Sequence, residues 1–299
     1  SVAKEDADSQ LRLANSLNTL ATCYLDVQRN AEAEKSLRSA IKIYERYEDS
    51  LTPHQLDSLA MTYHNLALVL AMTDDQDEAT SLAYKAVELL ASIVEQGHSA
   101  SQKNLADAEN SLSVRLLTLD RFDESEALGK SAVLRFRDLH EIRPDAYGNK
   151  LALALNNYSN VLQVKERHEE ALEASTSALE IFETYSKFDE HQVKHEYALA
   201  LSTHGSVLVD LQRSQEGLPS LLRSAQKFRE LSKERPDLYE QGLIDTLNSV
   251  SMVNYQQKDP ASAHENMREA ISILEQCYEA KPKAFGPKLA SLKSNEVVL

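Results

Sequence analysis

The sequence is poor in the residues that interrupt regular structure: it has no tryptophan and only 7 glycines and 7 prolines in 299 residues. This composition favours helices with few tight turns. No run of 18 apolar residues occurs, so we expect no membrane-spanning helix and no membrane partner. Neither G-x-G-x-x-G nor G-x-x-x-x-G-K-[ST] is present, so no phosphate-binding loop and no cofactor are expected.

The sequence also has fewer basic than acidic residues, 32 against 47, so the formal net charge is -15. Binding to phosphate groups needs a basic surface, so no nucleic acid partner is expected. Two cysteines, Cys23 and Cys277, form no C-x-x-C pair, which predicts reduced structural thiols in a cytoplasmic protein. The chain begins with Ser1 and lacks an apolar signal core, which is typical of a processed form or of a fragment with further domains.

A period of 46 residues runs through the chain without insertions. One column of this repeat always holds a small residue: Ala21, Ala67, Ser113, Ser159, Gly205 and Ser251. Another always holds a large apolar residue: Tyr44, Leu90, Phe136, Phe182, Phe228 and Leu274. Such periodicity predicts a stack of similar units, each of which buries its apolar stripe against its neighbours.

Each copy predicts two helices, because apolar residues recur at steps of three and four on either side of a short polar break. Small residues at a helix crossing let two helices approach to about 8–10 Å. We predict a lead at residues 1–7 and six repeats, at residues 8–53, 54–99, 100–145, 146–191, 192–237 and 238–283. Residues 284–299 fit either a capping helix or a truncated further repeat.

The fourth copy carries a large–small pair in its first helix and two small positions in its second: Leu155, Tyr158, Ser159, Leu162, Ala171 and Ala178. This pattern resembles the tetratricopeptide repeat (TPR), and the resemblance covers essentially the whole chain. The standard unit has about 34 residues. The longer unit here is most similar to the repeats of large fungal and bacterial TPR proteins and, more distantly, of kinesin light chains. The resemblance implies an all-α superhelix of about six helix-turn-helix repeats plus a C-terminal end helix, with the first helices lining a concave groove.

Asparagine is frequent in the first-helix columns that, by this resemblance, face the groove. An amide side chain both donates and accepts hydrogen bonds, so a row of amides suits an extended peptide held through its backbone. In kinesin-light-chain-like repeats, asparagine in the column of Asn65 and Asn157 has this role, although the other four copies here carry threonine or serine. The predicted partner-binding residues are Asn18, His64, Asn65, Asn110, Asn156, Asn157, Asn160 and Asn248. The alternative is that these side chains are merely solvated.

No pattern of catalytic or metal-binding residues accompanies the repeat. His191 and His195 have the i, i+4 spacing of two ligands on one helix face, but no third ligand is apparent and solvated histidines are the better interpretation. His204 stands in an apolar column and is expected to be a core histidine, and a weak point for stability in acid. The sequon Asn157-Tyr158-Ser159 falls inside a predicted helix and is interpreted as a chance match.

The favoured function is a non-enzymatic scaffold that binds a peptide or protein in the concave groove. The alternative is a ligand-sensing segment of a larger signalling protein, of the STAND or NACHT kind or linked to a protease. An enzyme would require a buried cluster of titratable groups in the groove, which the columns do not contain.

Overall fold

The structure is a computed structural model that describes residues 2–72, 75–185, 191–280 and 282–298. All regular secondary structure in these residues is helical, so the predicted all-α fold class is confirmed. The chain divides into two compact units, Ser1–Ile142 and Arg143–Leu299. The six predicted repeat ranges stay a prediction.

The first unit contains three helical hairpins. Its helices are α1 (Val2–Asp26), α2 (Asn30–Arg46), α3 (Pro53–Ala71), α4 (Gln76–Glu95), α5 (Gln102–Thr118) and α6 (Phe122–Ile142), with 3₁₀ helices at Glu48–Ser50 and Ser99–Ser101. The odd-numbered helices are called first helices and the even-numbered ones second helices. Each first helix packs on the second helix of its own hairpin, and α1 also packs on α3 and α3 on α5.

The second unit repeats this arrangement. Its helices are α7 (Pro144–Val164), α8 (His168–Tyr185), α9 (His191–Asp210), α10 (Ser214–Ser232), α11 (Pro236–Gln256), α12 (Pro260–Ala280) and α13 (Pro282–Val298). Its hairpins pair α7 with α8, α9 with α10 and α11 with α12, and α13 packs on α12. Because neither helix of a hairpin can bury its stripe alone, the order of packing follows the order of the sequence.

The small column forms the close crossing inside each hairpin. Where the small residue is serine, its hydroxyl is buried and donates to a carbonyl of the facing second helix at 2.7 Å: Ser113 to Ser125, Ser159 to Ala171, and Ser251 to Ala263. A buried hydroxyl must be hydrogen-bonded to be tolerated, so serine fits this crossing as well as alanine does.

Left-handed residues close the turn between the two helices of a hairpin. The first helix ends in a Schellman motif, as in α9, where the amide of Gln212 donates to the Val209 carbonyl at 2.9 Å and that of Arg213 to the Leu208 carbonyl at 2.8 Å. The left-handed position is usually glycine. Here the described turns use Gln28, Asp120, Glu166, Gln212 and Lys258, with φ between 58° and 63°.

Proline begins several first helices, as the sequence predicts. Pro144 and Pro236 occupy the first turn of α7 and α11, each followed by an aspartate that favours the positive end of the helix dipole. In α3, Thr52 caps the helix and Pro53 follows it. The sequence Arg-Pro-Asp occurs twice, at residues 143–145 and 235–237, and marks the start of a first helix.

Candidate functional site

Two of the predicted binding residues in the first unit contact each other. The amide nitrogen Nδ2 of Asn65 in α3 donates to Oδ1 of Asn18 in α1 at 3.0 Å, and both side chains are half-buried. The same two helices, one repeat apart, therefore share an amide pair at the surface. Each amide keeps further donor or acceptor positions beyond this one bond.

Three other predicted residues lie deeper than the groove surface. His64 and Asn110 in the first unit are buried, and Asn156 in the second unit is 3% exposed. The Oδ1 atom of Asn156 is buried without a hydrogen-bond partner among the described residues. A ligand on the surface of the first helices would contact these side chains only after local rearrangement.

The remaining predicted residues lie in the second unit and are half-buried. Asn160 in α7 accepts a hydrogen bond from Thr203 Oγ1 in α9 at 3.1 Å. Asn248 in α11 accepts one from Asn295 Nδ2 in α13 at 3.2 Å. Asn157 lies on the same helix as Asn160. Part of the amide row is thus used to join successive first helices.

An apolar pocket lies between α3 and α5 on the exposed face of the first helices. Its volume is about 480 Å³, and it is lined by Leu68, Ala71, Gln76, Ser111, Val114, Arg115, Thr118 and Leu119. Leu68, Val114 and Leu119 are 40%, 38% and 37% exposed. Uncovered apolar side chains beside polar rims are typical of binding sites.

Arg115 stands at the wall of this pocket. Its Nη1 donates to Gln76 Oε1 at 2.8 Å and its Nη2 to the Ala67 carbonyl at 3.2 Å, so both acceptors are neutral. No carboxylate of the described residues pairs with it. Burial lowers the pKa of the Arg115 guanidinium from its ordinary value, and no neighbouring charge offsets this.

Titratable groups in the second unit have structural partners. Nδ1 of His204 lies 3.2 Å from the Ser175 hydroxyl, and burial, with a smaller effect of the Arg213 charge, lowers the pKa of His204. The ring of His195 packs on Phe228 and Tyr239, and burial lowers its pKa as well. The interpretation of His204 as a core histidine agrees with these contacts.

The interpretation of His195 as a solvated histidine is wrong, because its ring is half-buried against Phe228 and Tyr239. The side chain of His191 lies outside the described residues, as does that of Cys277. Within the described part of the chain, no group of three or more His, Cys, Asp or Glu side chains is arranged to hold a metal ion. None of the described helices combines the length and the apolar character needed to cross a bilayer.

Arg115 was not among the binding residues predicted from the sequence. The missed signal was the column of Arg115 itself, which reads Cys23, Val69, Arg115, Val161, Val207 and Val253. The four valines are at most 1% exposed. A charged residue in a column of buried valines was the sign to look for.

Similarity to known proteins agrees with this architecture. The family model for the tetratricopeptide repeat matches residues 12–92. No curated protein has significant sequence similarity to the chain.

Solved structures share the fold at low sequence identity. A chain from the crystal structure of the APC/C hetero-tetramer Cut9–Hcn1 superposes on this chain with a TM-score of 0.62 at 14% identity. The match covers 91% of this chain and 42% of that one. A Podosopora anserina protein classed as a kinesin light chain, with nearly identical TPR-like repeats, has a TM-score of 0.54 at 16% identity, over 76% and 98%.

A STAND protein of Pyrococcus horikoshii with a tetratricopeptide repeat sensor has a TM-score of 0.58 at 14% identity, over 94% of this chain and 39% of that one. The chain thus spans less than half of two of these three proteins. Identities at this level establish the fold alone, and the family match names the repeat. Residues 12–92 thus match the tetratricopeptide repeat, and the chain shares its fold with solved tetratricopeptide repeat proteins.

Proposed function

We propose that the chain is a non-enzymatic scaffold that binds a peptide or protein segment on the exposed face of its first helices. The observation that carries this proposal is the apolar pocket between α3 and α5, where Leu68 and Val114 are 40% and 38% exposed. Apolar anchors in a pocket, surrounded by polar groups, are the usual source of affinity in a protein interface.

The neighbouring amides would hold the backbone of the bound segment. Asn18 and Asn65 lie on the helices α1 and α3, and their remaining donors and acceptors suit a peptide group. In the second unit Asn157, Asn160 and Asn248 would act in the same way. His64, Asn110 and Asn156 are buried, so their part in binding would be to support the helix surface from below.

A ligand-sensing segment of a larger signalling protein is the second candidate. It is favoured by the similarity in fold to the repeat sensor of the STAND protein, of which this chain spans 39%. Both candidates require a ligand on the repeat surface, and they differ in whether another domain responds to it. A cytoplasmic location stays a prediction from the sequence.

The test is a selection of peptides from a random display library on the wild-type chain, followed by affinity measurements on two matched variants. Val114→Asp places a charge in the pocket of α5, whereas Leu134→Asp places the same charge at an exposed leucine of the second helix α6. Leu134 is 49% exposed, so its replacement leaves packing intact.

We expect Val114→Asp to weaken binding of the selected peptides by about ten-fold or more, since a buried unpaired charge opposes binding. Leu134→Asp should leave the affinity unchanged. Equal losses for both variants, or a loss confined to Leu134→Asp, would exclude the first-helix face as the binding surface.

A further inference from the structure

The third hairpin carries three charged residues in columns that are mostly apolar in the other hairpins. Glu109 of α5 stands in a column of leucines and one tyrosine, and Arg135 of α6 in a column that is mostly isoleucine and leucine. Arg115 replaces the valine found at this position in four of the other five copies. Burying a charge in a packed column costs free energy unless a partner compensates it.

Two of these three charges compensate each other. Arg135 Nε donates to Glu109 Oε2 at 3.0 Å, and the Ser131 hydroxyl donates to Glu109 Oε1, also at 3.0 Å. Arg135 Nη1 also reaches Gln102 Oε1 at 2.8 Å. Burial still raises the pKa of Glu109, and Arg135 and Ser131 offset part of this effect inside the hairpin.

Arg115 has no such compensation. It is half-buried, and its two hydrogen bonds run to the neutral Gln76 and Ala67 oxygens. A guanidinium has five N–H donors, so several remain for an anion. In a chain with 47 acidic residues, no described carboxylate lies within salt-bridge distance of this cation. The open side of Arg115 is the apolar pocket beside Leu68 and Val114.

We propose that the pocket between α3 and α5 takes an apolar side chain of the bound peptide while Arg115 pairs with a neighbouring Asp or Glu side chain of that peptide. This inference rests on the proposed peptide-binding function and adds the chemistry of the ligand. The carboxylate belongs to an internal residue, because the Asn18–Asn65 amide pair on the preceding first helices offers hydrogen bonds to a chain that continues past the pocket.

The proposed pairing of Arg115 with a peptide carboxylate is electrostatically favourable at this site. A carboxylate over the free N–H groups makes charge-assisted hydrogen bonds, which are about twice as strong as neutral ones. Arg115 is half-buried, so its attraction to a carboxylate is screened less than that between two fully exposed charges. The apolar side chain and the carboxylate then bind one next to the other, and specificity comes from having both.

The experiment selects peptides from two display libraries, one with the random segment internal and one with free C-termini. Both are selected on the wild type and on Arg115→Val. This variant restores the residue of the other repeats, so it is expected to unfold at the same or a higher temperature and to report on charge alone. Leading peptides are then synthesised with Glu or Gln at the acidic position, and their dissociation constants are measured.

Wild type should enrich internal peptides with Asp or Glu beside a large apolar residue, and Arg115→Val should lose the acidic preference. Replacing Glu by Gln in the peptide should weaken binding to the wild type about ten- to one-hundred-fold and leave binding to Arg115→Val unchanged.

Three other outcomes would contradict one or both proposals. If only the library with free C-termini enriches acidic residues, the carboxylate does not come from an internal side chain, and that part of the proposal is refuted. Peptides that lose binding with Val114→Asp but show no acidic preference refute the role of Arg115 and leave the peptide-binding function standing. If neither library yields a binder at up to about 1 mM, both proposals are wrong.

Discussion

Replacing Gln212 by glycine should stabilise the protein, although it removes a side chain and adds flexibility. Gln212 has φ of 60° at the end of α9 and is exposed. A residue with a Cβ pays about 1–2 kcal/mol in this left-handed conformation. Glycine avoids that strain but gains about 0.5–1 kcal/mol of unfolded-state entropy. The net gain is about 0.5–1 kcal/mol in the free energy of unfolding, or roughly 1–3 °C in melting temperature.

The matched control is Gln226→Gly, which makes the same substitution at an exposed position inside α10. There the residue is helical, and glycine should cost about 0.5–1 kcal/mol. Gln212→Ala keeps the Cβ and should change stability little, which separates backbone strain from loss of the side-chain amide. Urea unfolding followed by circular dichroism measures all three variants. A loss of stability in Gln212→Gly comparable to that in Gln226→Gly would refute the strain assigned to these turns.

Three further outcomes follow from buried polar groups. His204 has a lowered pKa in the folded protein, so the free energy of unfolding should fall as pH drops below the unfolded pKa of about 6.5. His204→Leu should reduce this pH dependence in unfolding curves measured between about pH 7.5 and 5. An unchanged pH dependence in the variant would contradict the assignment to His204. Arg135→Ile alone should lower the free energy of unfolding by about 1–3 kcal/mol, because it leaves Glu109 buried without its cation. The double variant Glu109→Leu/Arg135→Ile should unfold in urea almost as the wild type does. Equal losses of stability in the single and the double variant would argue against the pairing. Ser159→Ala should lower the free energy of unfolding by about 1 kcal/mol, because the hydrogen bond to the Ala171 carbonyl is lost while alanine still fits the helix crossing. A melting temperature equal to that of the wild type would show that this hydrogen bond does not stabilise the fold.

The fold could be predicted because every repeat states the same pattern. The small column at Ser113 and Ser159 requires a close helix crossing, and the structure places both hydroxyls on the facing helix. The turns could not be predicted in the same way. Four of the five left-handed residues are Gln, Glu or Lys, which are not typical of turns, and the conformation follows from the hydrogen bonds that end the first helix.

The candidate site was predictable only in part, because a column does not reveal depth. Asn156 and Asn248 occupy the same column of the repeat, but Asn156 is 3% exposed and Asn248 is half-buried. The hydrogen bond between Asn18 and Asn65 depends on how two helices stack, which no single repeat encodes. The position of Arg115 was visible as a departure from valine, and its meaning depends on the pocket beside it.

The central claim is that a peptide binds on the first helices, and photocrosslinking tests it most directly. A benzophenone amino acid is placed at Ser111, which lines the pocket, or at Leu134, which is exposed on the second helix α6. A display-selected peptide is then added and irradiated. We expect a crosslink from position 111 that unlabelled peptide competes away, and none from position 134. A crosslink from position 134 without one from position 111 would contradict the claim.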